Sequence, residues 1–372
     1  MSGKSAFRPC GRDLVEFFNS TGWAFFVQVS VPMRLPDAGR LIDTNAKAVS
    51  LFLNQNCSPG LLHSAKAVVG GGTVCNARDA RIKSAARMPR MAANDGKAAT
   101  AESRSPRLLE ATKPDLLTIA AIAIVAAVIA DIIHEGLGHG GVCIATGGRP
   151  LVLSTVHFEC SADTRLVAAG GTLANLIVGT LSWGAARAVK QSATRRYFFW
   201  LLMTLNLFGV GGYFLFSGIG NLGDWAAVVA GWQPAWAWRM GLAALGIVTY
   251  FFLFVPLSLR ELRPFLGKDA KIRVRRARYL TLVPYLTAGV LSCVAGALNP
   301  VGPLLILISA AAASFGGNSG LAWMWSLLYG SRIPSSEFQM PEIERSRGWI
   351  IAAVVLAIGF IMGLGSGVRF GT

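Results

Sequence analysis

Residues 116–142 read LLTIAAIAIVAAVIADIIHEGLGHGGV. From Leu116 to Ala130 no residue is charged, and the run then takes up Asp131, His134, Glu135 and His139 before giving way to glycine. An apolar stretch of about 20 residues is long enough to cross the hydrocarbon core of a bilayer as a helix. An ionisable side chain inside such a helix costs several kcal/mol, so it marks a functional site by default. The stretch therefore predicts a transmembrane helix that carries polar chemistry at its far end.

Further apolar runs follow at 166–186, 197–219, 238–259, 279–298, 301–328 and 348–367. The expected fold is all-α, a polytopic membrane helix bundle of about six to seven transmembrane helices. Gly316, Gly317 and Asn318 interrupt the run at 301–328, which predicts a broken or re-entrant helix there. Composition agrees. Of 372 residues, 53% are hydrophobic and only 15% charged, against about 25% charged in soluble domains, and the mean hydropathy is +0.50.

The formal charge of +16 follows the positive-inside pattern and comes with no nucleic-acid-binding motif. Arg104, Arg107 and Lys113 precede the first helix. Arg187, Lys190, Arg195 and Arg196 lie between the second and third, and a dense group from Arg260 to Arg278 lies between the fourth and fifth. These segments alternate, so all three fall on the cytoplasmic side, while 143–165 and 220–237 fall on the other. Trp225, Trp232, Trp236 and Trp238 gather in the latter stretch, as aromatic residues do at a membrane interface. The partners expected from this pattern are membrane lipids and no nucleic acid.

Three regions result: 1–114, basic and mostly disordered; 115–232, a membrane core of three spans; and 233–372, additional transmembrane helices. Segment 76–113 is basic and rich in small residues, the composition of a disordered stretch. Segment 14–33 is interrupted by Glu16, Asn19 and Gln28 and lacks the layout of a signal peptide. Met88 or Met91 is an alternative start of the chain. None of the six cysteines forms a CxxC pair. Cys143 and Cys160 bracket a loop outside the cytoplasm, where disulfides persist, and a bridge there would pin the loop over the site.

Only three acids lie in or at the ends of the spans searched: Asp131, Glu135 and Asp224. The first helix ends on the same side as the third, so Asp224 meets His134 and His139 at similar depth. The motif His134-Glu135-Gly136-Leu137-Gly138-His139 is one residue longer than HExxH, in which two His at i and i+4 share a helix face and the Glu is a general base. On a regular helix, positions i and i+5 are separated by about 140°. A π-bulge would restore their convergence. Alternatively, Glu135 and His139, themselves i and i+4, bind metal and His134 acts as base or support.

The sequence at this point resembles the site-2 protease family of intramembrane zinc metallopeptidases. Three segments carry the likeness: HEGLGHGG at 134–141, AGGTLANL at 169–176 and GNLGDW at 220–225. They are similar to the family's HExxH helix, its Gly-Pro-x-x-Asn helix and the segment supplying its third zinc ligand. The longer HExxxH spacing is similar to that of dipeptidyl peptidase III, a soluble zinc peptidase. Thr172 stands where the family has Pro, and the third segment lacks its Pro-rich and Asp-Gly endings.

The resemblance implies that His134, His139 and Asp224 hold one Zn²⁺ and that Glu135 is the catalytic base. Asn175 would bind substrate backbone or steady the oxyanion, or else make an interhelical hydrogen bond. Asp131 would orient an imidazole or cap a helix contact. The implied substrate is a transmembrane or membrane-proximal protein, and the implied location the bacterial inner membrane, multi-pass. Competing readings are a non-proteolytic metal-binding scaffold, a hydrolase of lipid amides and a transporter.

Overall fold

A computed structural model describes residues 114–300, 306–329 and 338–371. The expectation of a disordered 1–114 falls, apart from Pro114, outside them. Six described helices are long and apolar enough to cross a membrane. They are α1 (Leu116–Ala145), α2 (Arg165–Ala188), α3 (Ala193–Gly220), α5 (Ala235–Phe265), α6 (Ala270–Gly296) and α8 (Arg347–Leu364). Between α3 and α5 lies the short α4 (Asp224–Val229). A π-helical segment, α7 (Ile306–Gly317), lies between α6 and α8. The chain is thus a mostly helical, multi-pass membrane bundle.

Local signals start the helices where the apolar runs begin. Asp115 caps α1 by accepting from Thr118 N and Thr118 Oγ1 at 2.8 and 2.7 Å. Thr164, Ser192 and Asp269 cap α2, α3 and α6 in the same way. Each side-chain oxygen satisfies one of the amide groups that a helix N-terminus leaves without a partner. At its other end α3 stops at Asn221, which takes up a left-handed conformation (φ 54°) and directs the chain into α4.

Contacts settle the run of the last third. Asp115 N donates to Ile343 O, and Ser346 N donates to Thr118 Oγ1, so α8 begins beside the start of α1. The α7 segment runs opposite to α6. Phe315 packs on Tyr285 and against Gly289 midway along α6, and Trp325 lies under the Arg278 guanidinium near the start of α6. The expected break is present. The helix ends at Gly317, turns through Asn318 and Ser319, and resumes at Gly320–Trp323 before a final 3-10 turn. The Tyr250 hydroxyl of α5 holds the break together, donating to Gly317 O (2.7 Å) and accepting from Gly320 N (2.8 Å). Backbone groups freed by a broken helix inside a membrane need such a partner.

A small antiparallel sheet, absent from the all-α expectation, joins the bundle at the end opposite the basic loops. Its strands β1 (Pro150–Leu153), β2 (Phe158–Cys160) and β3 (Val368–Arg369) lie in the order β2-β1-β3. Val152 pairs with Glu159 on one side and with Arg369 on the other. These strands are too short for an alternation pattern to reveal, and β3 comes from the far end of the chain. A disulfide joins Cys143 in α1 to Cys160 in β2 and closes the hairpin onto the end of the helix.

Candidate metal centre

The site is built on the end of α1. Ile132–Gly140 is π-helical, covering the whole HEGLGH motif. The wider turn brings the two imidazoles together: His134 Nε2 and His139 Nε2 stand 3.3 Å apart. It is therefore the two histidines, not Glu135 with His139, whose ligand atoms meet. Asp224, the first residue of α4, supplies the third atom. Its Oδ2 lies 3.2 Å from His134 Nε2 and 3.5 Å from His139 Nε2.

This triangle fits a metal ion. Donors bound to zinc at about 2.0–2.1 Å with tetrahedral angles stand about 3.3–3.4 Å apart. The three observed separations bracket that value. Asp224 Oδ2, although shielded from solvent and near both rings, has no hydrogen-bond partner. Three such atoms within this distance of one another can share one ion.

Each ligand is steadied from behind. His139 Nδ1 donates to the Val167 carbonyl of α2 at 2.7 Å, which leaves Nε2 as the lone-pair nitrogen. Asn175 Nδ2 of α2 lies 3.1 Å from His134 Nδ1, and Asn175 Oδ1 has no hydrogen-bond partner. Exchanging the amide's nitrogen and oxygen, which gives the orphaned Oδ1 a partner, would let it accept from Nδ1–H and leave Nε2 of His134 free for metal. Tyr213 of α3 stacks on His134 (centroids 4.6 Å, 16° between planes). Phe158 of β2 lies nearly parallel to His139 at 6.5 Å.

Glycines permit this proximity. A methyl group at Gly171 would stand 2.5 Å from His139 Nε2 and 2.7 Å from His134 Nε2. One at Gly138 would stand 2.5 Å from the Gly171 Cα, and one at Gly170 2.5 Å from the Gly138 carbonyl oxygen. Thus α1 and α2 touch backbone to backbone at the site, and the floor beneath the two imidazoles is a bare Cα.

Glu135 is buried beside the ligands at 6% exposure, and its Oε2 has no hydrogen-bond partner. Asp131 Oδ2, one turn earlier, is also shielded and without one. His157 stays apart from the cluster, bonded to Ser154 and 3.3 Å from Glu159. Sequence reasoning named the three residues that converge here, and it named Glu135, Asn175 and Asp131 around them. It missed Val167, Gly171, Tyr213 and Phe158. The Gly170-Gly171 pair was the available signal, since small residues in a span mark close helix approach.

The chain thus holds a buried His-His-Asp cluster with the geometry of a metal site, inside a multi-pass helix bundle. No protein-family model, curated protein or solved structure matches the chain.

Proposed function

We propose that the protein is an intramembrane zinc metallopeptidase that hydrolyses peptide bonds within or near the membrane. The observation that carries this reading is the triangle of His134 Nε2, His139 Nε2 and Asp224 Oδ2 with a buried, unpartnered carboxylate, Glu135, beside it. Three protein ligands leave a fourth position open, the composition of a catalytic rather than a structural zinc site. Zinc bound there supplies Lewis acidity and lowers the pKa of water towards about 7.

The remaining work falls to the chain. Glu135 Oε2 takes the proton of the attacking water and delivers it to the leaving amine nitrogen. Val167 O and the Asn175 amide keep the two imidazoles in the tautomer that binds metal. Asn175 acts on His134 through this contact. Asp131, a second shielded carboxyl group, lies one turn earlier on the same helix. The HExxxH spacing does not count against the reading, because the π-helical register absorbs the additional residue. The substrate would be a transmembrane or membrane-proximal protein segment.

The test is zinc content per chain in mild detergent, with cleavage of single-span peptides measured alongside. The expected result is one zinc in the parent, lost in His139→Ala and Asp224→Asn. Glu135→Gln should keep the zinc and lose cleavage by about 10²–10⁴-fold. A folded parent without zinc would refute the metal centre. A zinc-loaded parent with no cleavage that Glu135→Gln removes would leave a metal-binding scaffold.

A further inference from the structure

Along α4 and the chain on either side of it lies a cavity of about 490 Å³. Its walls include Asn221, Leu222, Ala226, Ala227, Gly231 and Arg239. The volume is within the range of about 300–1,000 Å³ that small-molecule sites occupy. Nearly all the side chains are small or apolar, and Arg239 is the only cation among them.

The Arg239 guanidinium is held in place. Its Nε donates to Gly218 O at 3.2 Å and one terminal nitrogen donates to Ile219 O at 2.8 Å, both at the end of α3. Two of its five N–H donors are so engaged, which leaves three on a guanidinium whose residue lines the cavity. Nearby, Arg165 donates to Ala230 O at 2.7 Å and lies over the Trp232 ring. Trp236 and Trp238 are exposed at the start of α5, at 67% and 44%. Tryptophans in such a row mark the headgroup level of a bilayer. The cavity therefore combines an apolar lining, a pre-positioned guanidinium and the depth at which lipid phosphates lie.

We propose that this cavity is a binding site for the phosphodiester headgroup of a phospholipid, with Arg239 as its phosphate ligand. The occupant's charge is fixed by the arginine, and its source by the depth and the lipid-facing tryptophans. Ala226 and Ala227 belong to the same six-residue helix as Asp224, so a seated headgroup braces the helix that carries the third metal ligand. Lipid binding itself does not depend on the metallopeptidase reading, because the test is made without reference to zinc.

The full chain, purified in mild detergent with phosphatidylglycerol, is examined by native mass spectrometry for retained lipid. One lipid per chain is expected to survive mild activation. Arg239→Ala should lower its retention about tenfold or more, the value of a charge-assisted hydrogen bond. Because Arg239 also binds the end of α3, Ala227→Trp is the second variant. It fills the cavity from an exposed position and leaves the arginine's carbonyl bonds intact, and it should displace the lipid equally. Inorganic phosphate alone distinguishes the sources: it should compete only weakly, having no apolar part to bury. Absence of bound lipid in the parent, unchanged retention in Ala227→Trp, or full displacement by millimolar phosphate would each overturn the proposal.

Discussion

Substituting Gly171 by alanine should abolish metal binding without unfolding the protein. The added methyl group would stand 2.5 Å from His139 Nε2, 2.6 Å from His134 Cε1 and 2.7 Å from His134 Nε2. Ordinary carbon contacts begin near about 3.4 Å, so something must yield by roughly 0.7–0.9 Å. The backbone of α2 cannot retreat easily, because it is also packed on α3, where Gly179 leaves no room for a methyl group beside Leu207. The imidazoles must therefore move, and zinc sites tolerate only about ±0.2 Å in ligand distance. Loss or displacement of a direct ligand should weaken zinc by more than the 10–100-fold typical of altered supporting residues. Stability should change little, because alanine favours the helix over glycine by about 0.5–1 kcal/mol and offsets part of the crowding. Gly184→Ala, on the same helix with nothing within 4 Å of the new methyl, is the control and should retain full zinc. The assay is zinc affinity by chelator competition together with the melting temperature in detergent. Parental affinity in Gly171→Ala would refute the placement of the metal over this glycine.

Three further outcomes follow from the same contacts. Asn175→Ala removes the amide at His134 Nδ1 and should lower zinc affinity about 10–100-fold, read by the same competition. Tyr250→Phe deletes a hydroxyl that both accepts from Gly320 N and donates to Gly317 O. Leaving these groups unpaired should destabilise the fold by about 1–3 kcal/mol, seen as a lower melting temperature with zinc content unchanged. Cys143→Ser with Cys160→Ser opens a crosslink between residues 17 apart in sequence. The loss should be about 3 kcal/mol, and protease should then cut within 146–164 sooner than in the parent.

The sequence alone determined that this chain is a multi-pass membrane protein, and it singled out the ionisable residues that the fold brings together. These conclusions follow from one-dimensional quantities: the length of apolar runs, the alternation of basic loops and the cost of a charge in hydrocarbon. His134, His139 and Asp224 could be grouped because parity alone puts the ends of the first and third spans on one side. The break at Gly316-Gly317-Asn318 was legible for a similar reason, since glycine leaves a helix easily.

Only the tertiary structure decided between the two registers of the HEGLGH motif. A π-turn is set by what packs beside it, and here that is the Gly170-Gly171 surface of α2, which admits the backbone of Gly138. The neighbour of Asn175 was set in the same way: its amide meets His134 only because α1 and α2 approach so closely. The sheet was not foreseeable either, as β3 lies more than 200 residues beyond β1, at Val368–Arg369. Pairings at that separation leave no local periodicity to read; they form when α8 returns alongside α1 and brings the end of the chain to the hairpin.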